Sequence, residues 1–354
     1  MPPPPPQNSD VEIAIICALP LEARAAKAMF EELVEDLDGP TDGPTDGDDA
    51  IYTTGKIGTH KVVLAHMPGM GTNAAAAMAS TLKQRFKGIE LALLVGICGG
   101  VPREKSEKIM LGDIIIGKQV VQYDFGRQYP DQFSRKSNAE DSLGRQSPKI
   151  RAFVAKLESA REGLAKKSFD HLSGLRSKPG VDHPIGPPAQ RDNLFSPAYW
   201  HIHRKPEDCK DGACREGETI CEHARHSSCQ EVGCDAEELE RSSKPKAKPD
   251  IHFGRVASGN KVINCGEERD RIAEAENVVA FDMEAAGVWD YLPCVVVKAV
   301  CDYADSHKNK KWQEYAVLAA AACTKAILEQ WPRKGALQDS MGAPDQVCRV
   351  CGCR

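Results

Sequence analysis

The sequence predicts an α/β fold, a three-layer αβα sandwich around a mixed, mostly parallel central sheet, and two observations lead there. Short apolar runs rich in β-branched residues recur along the chain, as strands covered on both faces require. Glycine turns and helix-favouring stretches separate them, the alternation that builds a parallel sheet with helices on both sides. With 354 residues the chain can bury a large core. One domain over 11–334 accounts for the pattern, between a proline-rich, disordered-looking tail at 1–10 and a C-terminal tail at 335–354.

VEIAIICAL, from Val11 to Leu19, reads as the first central strand, and a helix is expected from Glu22 to Leu33. Gly39 to Asp49 nearly duplicates a turn-forming tetrapeptide and is too polar to pack, so it reads as a surface loop. KVVLAH (Lys61 to His66) is a second strand, and Pro68 to Asn73 leads from it into an alanine-rich helix over Ala74 to Phe86. Leu91 to Gly96 and Asp113 to Asp124 add strands, with Cys98-Gly99-Gly100 expected to form a tight turn between them. From about Arg135 the pattern weakens, apart from a helix near Ile150 to Leu164, and a polar, Cys-containing insertion is expected around 165–250. The core resumes with a strand at Ile251 to Asn260, a helix at Glu267 to Glu276, a strand at Val278 to Met283 and a helix from Glu284. The strand CVVVKAVCD (Cys294 to Asp302) and a last helix, Trp312 to Trp331, complete it.

Composition excludes several function classes. A net charge of -5 supplies no general basic field for nucleic acid or an anionic membrane surface. The N-terminus MPPPPPQNSD has no charged segment followed by an apolar core, and no apolar run reaches the length of a membrane span. A soluble, unexported, cytoplasmic protein is the expectation. Of its 14 cysteines, Cys17, Cys98, Cys294, Cys301 and Cys323 lie in strand or helix patterns and read as reduced core residues. No phosphate loop ending in Lys-Ser or Lys-Thr is present, which disfavours phosphoryl transfer.

Two carboxylates stand where strands end: Glu284 in Phe281 to Gly287 and Asp302 in Val300 to Asp305. Substrates of open α/β sheets bind beyond the carboxyl ends of the strands, so both are placed to meet a ligand. Either one could instead be a helix N-cap, since a carboxylate at a first turn accepts orphan N–H groups.

Read in chain order, the motifs go further. Val11 to Glu22, Gly69-Met70-Gly71, Val95 to Val101, Leu111 to Ile114, Ala257-Ser258-Gly259-Asn260, Phe281 to Gly287 and Cys301 to Asp305 together resemble the nucleoside phosphorylase and nucleosidase superfamily. The branch most similar is that of methylthioadenosine/S-adenosylhomocysteine nucleosidase, with fungal-type nucleoside phosphorylase domains also alike. The resemblance implies cleavage of the N-glycosidic bond of a purine nucleoside or nucleotide. It makes Asp302 the general acid at N7 of the leaving base, a role that carboxyls in enclosed sites can fill. It makes Glu284 the ribose anchor, with Met283 packed under the sugar and Ser258, Asn260, Gly71, Gly96 and Ile97 forming the rest of the substrate site.

Hydrolysis or phosphorolysis depends on the attacking group. Glu22 matches the glutamate that activates water in the nucleosidases. Arg24 lies two places too late to match the phosphate-binding arginine of the phosphorylases, and Ile97 replaces a serine that helps hold phosphate or water in the family. Water is therefore favoured, with phosphate as the alternative co-substrate. Lys308 and Arg127 are candidate contacts for the 5′ side, where a phosphate chain would make the substrate a nucleotide such as ATP. A solvated basic loop is the plainer reading of that stretch.

No cofactor and no metal site is expected. Cys209, Cys214, Cys221, Cys229 and Cys234, with His223 and His226 among them, could supply zinc ligands. Their spacing is looser than usual, so a hydrated, metal-free loop is the expectation; no role is assigned to Cys348, Cys351 and Cys353 in the tail. The resemblance also implies a homo-oligomer, and it leaves open a nucleoside-sensing module of a larger signalling protein.

Overall fold

Among the described residues nine strands form one sheet, in the order β12-β11-β6-β13-β5-β1-β4-β3-β2. The structure, a computed structural model, describes residues 10–34, 50–102, 108–175, 186–209, 212, 214 and 219–332. The proline tract over 1–9, the loop over 39–49 and the C-terminal tail lie outside the described residues.

At the centre, β1 (Ile13–Cys17) pairs in parallel with β4 (His60–His66) and β5 (Leu91–Gly100), and β5 in parallel with β13 (Cys294–Asp302). All five β1 residues are buried. Because successive side chains point to opposite faces, both faces of the sheet must be covered. On the outer side β3 (Ile51–Ile57) and β2 (Glu32–Val34) continue antiparallel. In the other direction β6 (Ile114–Gln122) runs antiparallel to β13, and β11 (Ile251–Ser258) and β12 (Val278–Asp282) follow in parallel. The edge strand β12 also pairs back with β5 through Ala280–Gly100 and Phe281–Gly99, closing β5, β13, β6, β11 and β12 into a ring. This is the α/β class read from the sequence.

Several elements differ from their sequence reading. Cys98 to Gly100 continue β5 instead of turning: a Cβ on Gly100 would lie 2.6 Å from Val300 Cγ1, so glycine serves close strand approach. The first helix, α1 (Pro20–Lys27), is shorter than expected, because the chain turns at Met29 and Phe30 and enters β2. Helix α2 (Thr72–Arg85) begins directly after the glycine turn.

The segment expected to open the insertion instead joins the main core. Helices α3 (Pro148–Ser159) and α4 (Arg161–Gly174) bury Phe153, Leu157, Leu164 and Leu172 in the central cluster with residues of the C-terminal helix. The separate unit holds β9 (Asp192–Phe195), two short helices, α5 (Glu222–His226) and α6 (Cys229–Val232), and β10 (Leu239–Ser243). It is no hydrated loop: Ile202, Cys209, Cys214, Cys221, Ala224 and Val232 bury one another.

After it come α7 (Gly266–Glu276), the short α8 (Ala285–Trp289) and α9 (Gln313–Leu328), whose alanine-rich surface is almost wholly buried. No helix among the described residues is long and apolar enough to cross a membrane.

Candidate active site

The carboxyl ends of β1, β5, β12 and β13 converge on a cavity of about 230 Å³ lined by Glu22, Ile97, Met283, Glu284, Asp302 and Lys308 among others. A larger, open hollow of about 750 Å³ lies against β11 and α7; Val101 of the motifs lines it, but none of the expected catalytic or substrate-binding residues does.

Glu22 sits in the first turn of α1, after Pro20 has set the helix start. Its Oε2 accepts from the N–H groups of Ala18 (2.9 Å) and Leu19 (3.0 Å), and its Oε1 from that of Ile97 (2.9 Å). The carboxylate lies flat against Gly96, where a Cβ would come within 1.9 Å of Oε1. Gly96 thus makes room for Glu22 and does not itself line the cavity.

One residue unmentioned by the motifs organises the floor. Lys298, in the middle of β13 and 1% exposed, donates to Glu284 Oε2 at 3.0 Å. Its Nζ is also 3.9 Å from Asp282 Oδ2 and 4.0 Å from Glu22 Oε1. Three carboxylates therefore share one buried ammonium. Burial opposes the charge on Lys298, but Glu284, Glu22 and Asp282 outweigh it and raise its pKa. Burial in turn raises the Glu22 carboxyl, against the pull of Lys298 and with reinforcement from Glu284. Asp282, also desolvated, is pushed up to about 6.

Glu284 starts α8 without capping it; Asp282 accepts the Ala285 N–H instead, at 3.1 Å. Glu284 is thus not the helix cap that its position allowed. Its Oε1 faces the Gly71 N–H at 3.5 Å. Asp302, at the end of β13, accepts the Ala304 N–H on Oδ1 at 2.8 Å and the Cys301 thiol on Oδ2 at 3.4 Å. Ala304 adopts a φ of 52° to make this turn. Burial raises the Cys98 and Cys301 thiols, so neither cysteine at the cavity is a ready nucleophile.

The other expected contacts act at one remove or lie elsewhere. Ser258 is fully buried and its Oγ accepts the Ala286 N–H at 3.0 Å, fixing α8. Asn260 Oδ1 accepts from Thr72 N at 3.0 Å and so holds the start of α2 beside Gly71. Arg127, on the strand β7 (Gly126–Gln128), is exposed and does not line the cavity, because β7 pairs only with β8 (Phe133–Arg135) in a separate ribbon. Lys308 does line it, with Nζ 3.5 Å from Ile263 O. Arg24 lies outside and pairs with Glu314 at 3.4 Å. Sequence reasoning missed Lys298 and Asp282; a lone lysine within an apolar strand was the available signal.

Comparison with known proteins gives this arrangement its context. The family model described as the phosphorylase superfamily matches residues 12–329. The chain belongs to the phosphorylase superfamily. A superfamily relative, the 5′-methylthioadenosine/S-adenosylhomocysteine nucleosidase of Mycobacterium bovis, is 29% identical over 327 residues, covering 91% of this chain and 97% of the relative. A nucleotide-binding leucine-rich repeat-like protein of Hyaloscypha variabilis is 33% identical over 90% of this chain, which spans only 29% of that protein's length. Among solved structures, futalosine hydrolase of Helicobacter pylori is similar at a TM-score of 0.52 and 14% identity, with 91% of this chain and 99% of that one covered. The Helicobacter pylori methylthioadenosine nucleosidase, with 5′-methylthioadenosine in its active site, gives the same TM-score, 0.52, at 14% identity over 91% of this chain and 99% of its own. The two solved structures share the superfamily fold, and membership supports an enzyme of N-glycosidic bond cleavage.

Proposed function

We propose that the chain hydrolyses the N-glycosidic bond of a purine nucleoside. The observation that carries this reading is the convergence of Asp302, Glu284 and Glu22 on one cavity. Breaking the bond leaves negative charge on the base and positive charge on the sugar. Asp302 supplies a proton or hydrogen bond to N7 of the base. Glu284, tied to Lys298, accepts hydrogen bonds from the ribose hydroxyls, which strengthen as the ring becomes positive. Glu22, held by three backbone N–H groups, two on Oε2 and one on Oε1, keeps one lone pair, on Oε1, to orient and deprotonate water. Met283 packs against the sugar.

Water is favoured over phosphate by two features. Arg24 is engaged with Glu314 outside the cavity, and Ile97 offers only a backbone N–H that Glu22 already occupies. A nucleotide substrate remains a second reading because Lys261 and Lys308 both line the cavity. The test is incubation of adenosine, inosine, 5′-methylthioadenosine and ATP with and without phosphate, with base and sugar products separated by chromatography. Free ribose or its 5′-substituted form is expected; ribose 1-phosphate as the main product would overturn hydrolysis. The absence of base release from the whole panel would favour the nucleoside-sensing reading, to which the relative in Hyaloscypha variabilis also lends weight.

A further inference from the structure

The insertion and the loop after Asp302 meet at four side chains that no part of the proposed reaction uses. His201 follows β9, Cys229 opens α6, Cys234 follows α6, and His307 lies in the loop that begins at Asp302. Their ligand atoms all lie within 4.8 Å of one another. Cys229 Sγ is 3.8 Å from His201 Nδ1 and 3.7 Å from His307 Nδ1. Cys234 Sγ is 3.4 Å and 3.7 Å from the same two atoms. A tetrahedral zinc with Zn–S of about 2.3 Å and Zn–N of about 2.0–2.1 Å sets sulfur and nitrogen about 3.6 Å apart. The four sulfur–nitrogen distances bracket that value.

The outer contacts of the histidines fit the same arrangement. His201 Nε2 lies 3.0 Å from Ser227 O and His307 Nε2 lies 2.7 Å from Tyr199 O. A carbonyl only accepts, so each Nε2 carries the hydrogen and each Nδ1 turns its lone pair toward the sulfurs. Metal-bound histidines are oriented in this way. Stacking of His307 on Phe195, with centroids 4.0 Å apart, fixes the ring plane. Two thiolates and two neutral imidazoles suit a borderline-soft, tetrahedral ion and leave the loaded site neutral.

We propose that His201, Cys229, Cys234 and His307 bind one zinc ion that fastens the insertion to the loop carrying Asp302. Both thiol protons leave to solvent on binding. The site is structural: all four positions are filled by the protein, leaving none for substrate or water. Its reach to the cavity is short. His201 N–H donates to Ser306 Oγ at 3.0 Å, and Tyr303, beside Asp302, donates to Asp192 of β9 at 2.7 Å. The metal therefore anchors one side of a loop whose other side holds Asp302 and Lys308 to the cavity.

The test counts metal directly and does not depend on catalysis. The full chain, purified without chelator or added metal, is compared with a C229S/C234S double variant by elemental mass spectrometry. The wild type is expected to carry one more equivalent of zinc than the variant. Cys209, Cys214 and Cys221, whose sulfurs also cluster, would add any further equivalent to both and cancel. Should the variant not fold, the wild type alone decides: Cys229 and Cys234 resist alkylation until a strong chelator is added, then label, while amide exchange rises across residues 303–308. Equal zinc in the two proteins, labelling and exchange unchanged by chelation, or a Cys229–Cys234 disulfide in protein kept reduced would each overturn the proposal.

Discussion

At the scale of single residues, Asp302 and Glu22 make opposite demands on their protons, and each is testable. Asp302→Asn keeps an acceptor for the Ala304 N–H but removes the acidic proton. Its kcat is expected to fall about 10²- to 10⁴-fold, with KM and melting temperature little changed. Equal rates of base release by the two proteins would remove Asp302 from catalysis. In the proposed reaction Glu22 acts as a base only when deprotonated. Burial raises its carboxyl from 4.5, Lys298 and the backbone N–H groups oppose this, and Glu284 adds to it. The working form is therefore lost as pH falls through a value above 4.5, and the acid limb of kcat/KM should lie there. A limb at or below 4.5 in the pH–rate profile would assign the base elsewhere. Asp302 and Glu284 could be placed at strand ends from the sequence, and Glu22 within the motif that opens the chain, because each lies in a local pattern. Lys298 could not be read so easily: an apolar strand of nine residues dominates the pattern around it, and its partners are remote in sequence at Glu22, Asp282 and Glu284. The ligands His201 and His307 were hidden for the same reason, since only folding brings them to Cys229 and Cys234.

At the scale of elements, two glycines of β5 separate what the strand does for stability from what it does for the site. Periodicity identified β5, but it missed that the strand runs on through Gly99 and Gly100, because glycine pairs read as turns when the neighbouring strand is unknown. The ring closure by β12 is a long-range pairing with no local signature. Gly100→Ala drives a methyl to 2.6 Å from Val300 Cγ1, away from the cavity carboxylates. Overpacking of this kind costs about 1–3 kcal/mol, to be read by urea unfolding, with kcat in the folded protein nearly unchanged. Gly96→Ala instead meets Glu22 Oε1 at 1.9 Å and must displace the carboxylate from the Ile97 N–H. A displacement of about 1 Å can cost about 100-fold in rate, so activity should fall far more than for Gly100→Ala. Equal kinetic effects of the two substitutions would mean that the position of Glu22 is not what the strand protects.

At the scale of the whole molecule, the cavity has an unfinished rim. Met70 and Val262, both lining it, are 53% and 51% exposed. Exposed apolar side chains gathered at a substrate cavity mark a surface that another molecule covers, and closed pairing of like copies is the commonest way to cover one. The family resemblance implies a homo-oligomer, and Met70 and Val262 are where such a contact is expected. Light scattering of the purified chain at micromolar concentration should give at least a dimer. Met70→Glu with Val262→Glu would set like charges against each other across that contact and shift the protein toward monomer, raising KM because the cavity is left open. A wild type that is monomeric at these concentrations, or a double variant with unchanged mass and KM, would place any subunit contact away from the cavity and leave the apolar rim to meet the substrate's own 5′ substituent.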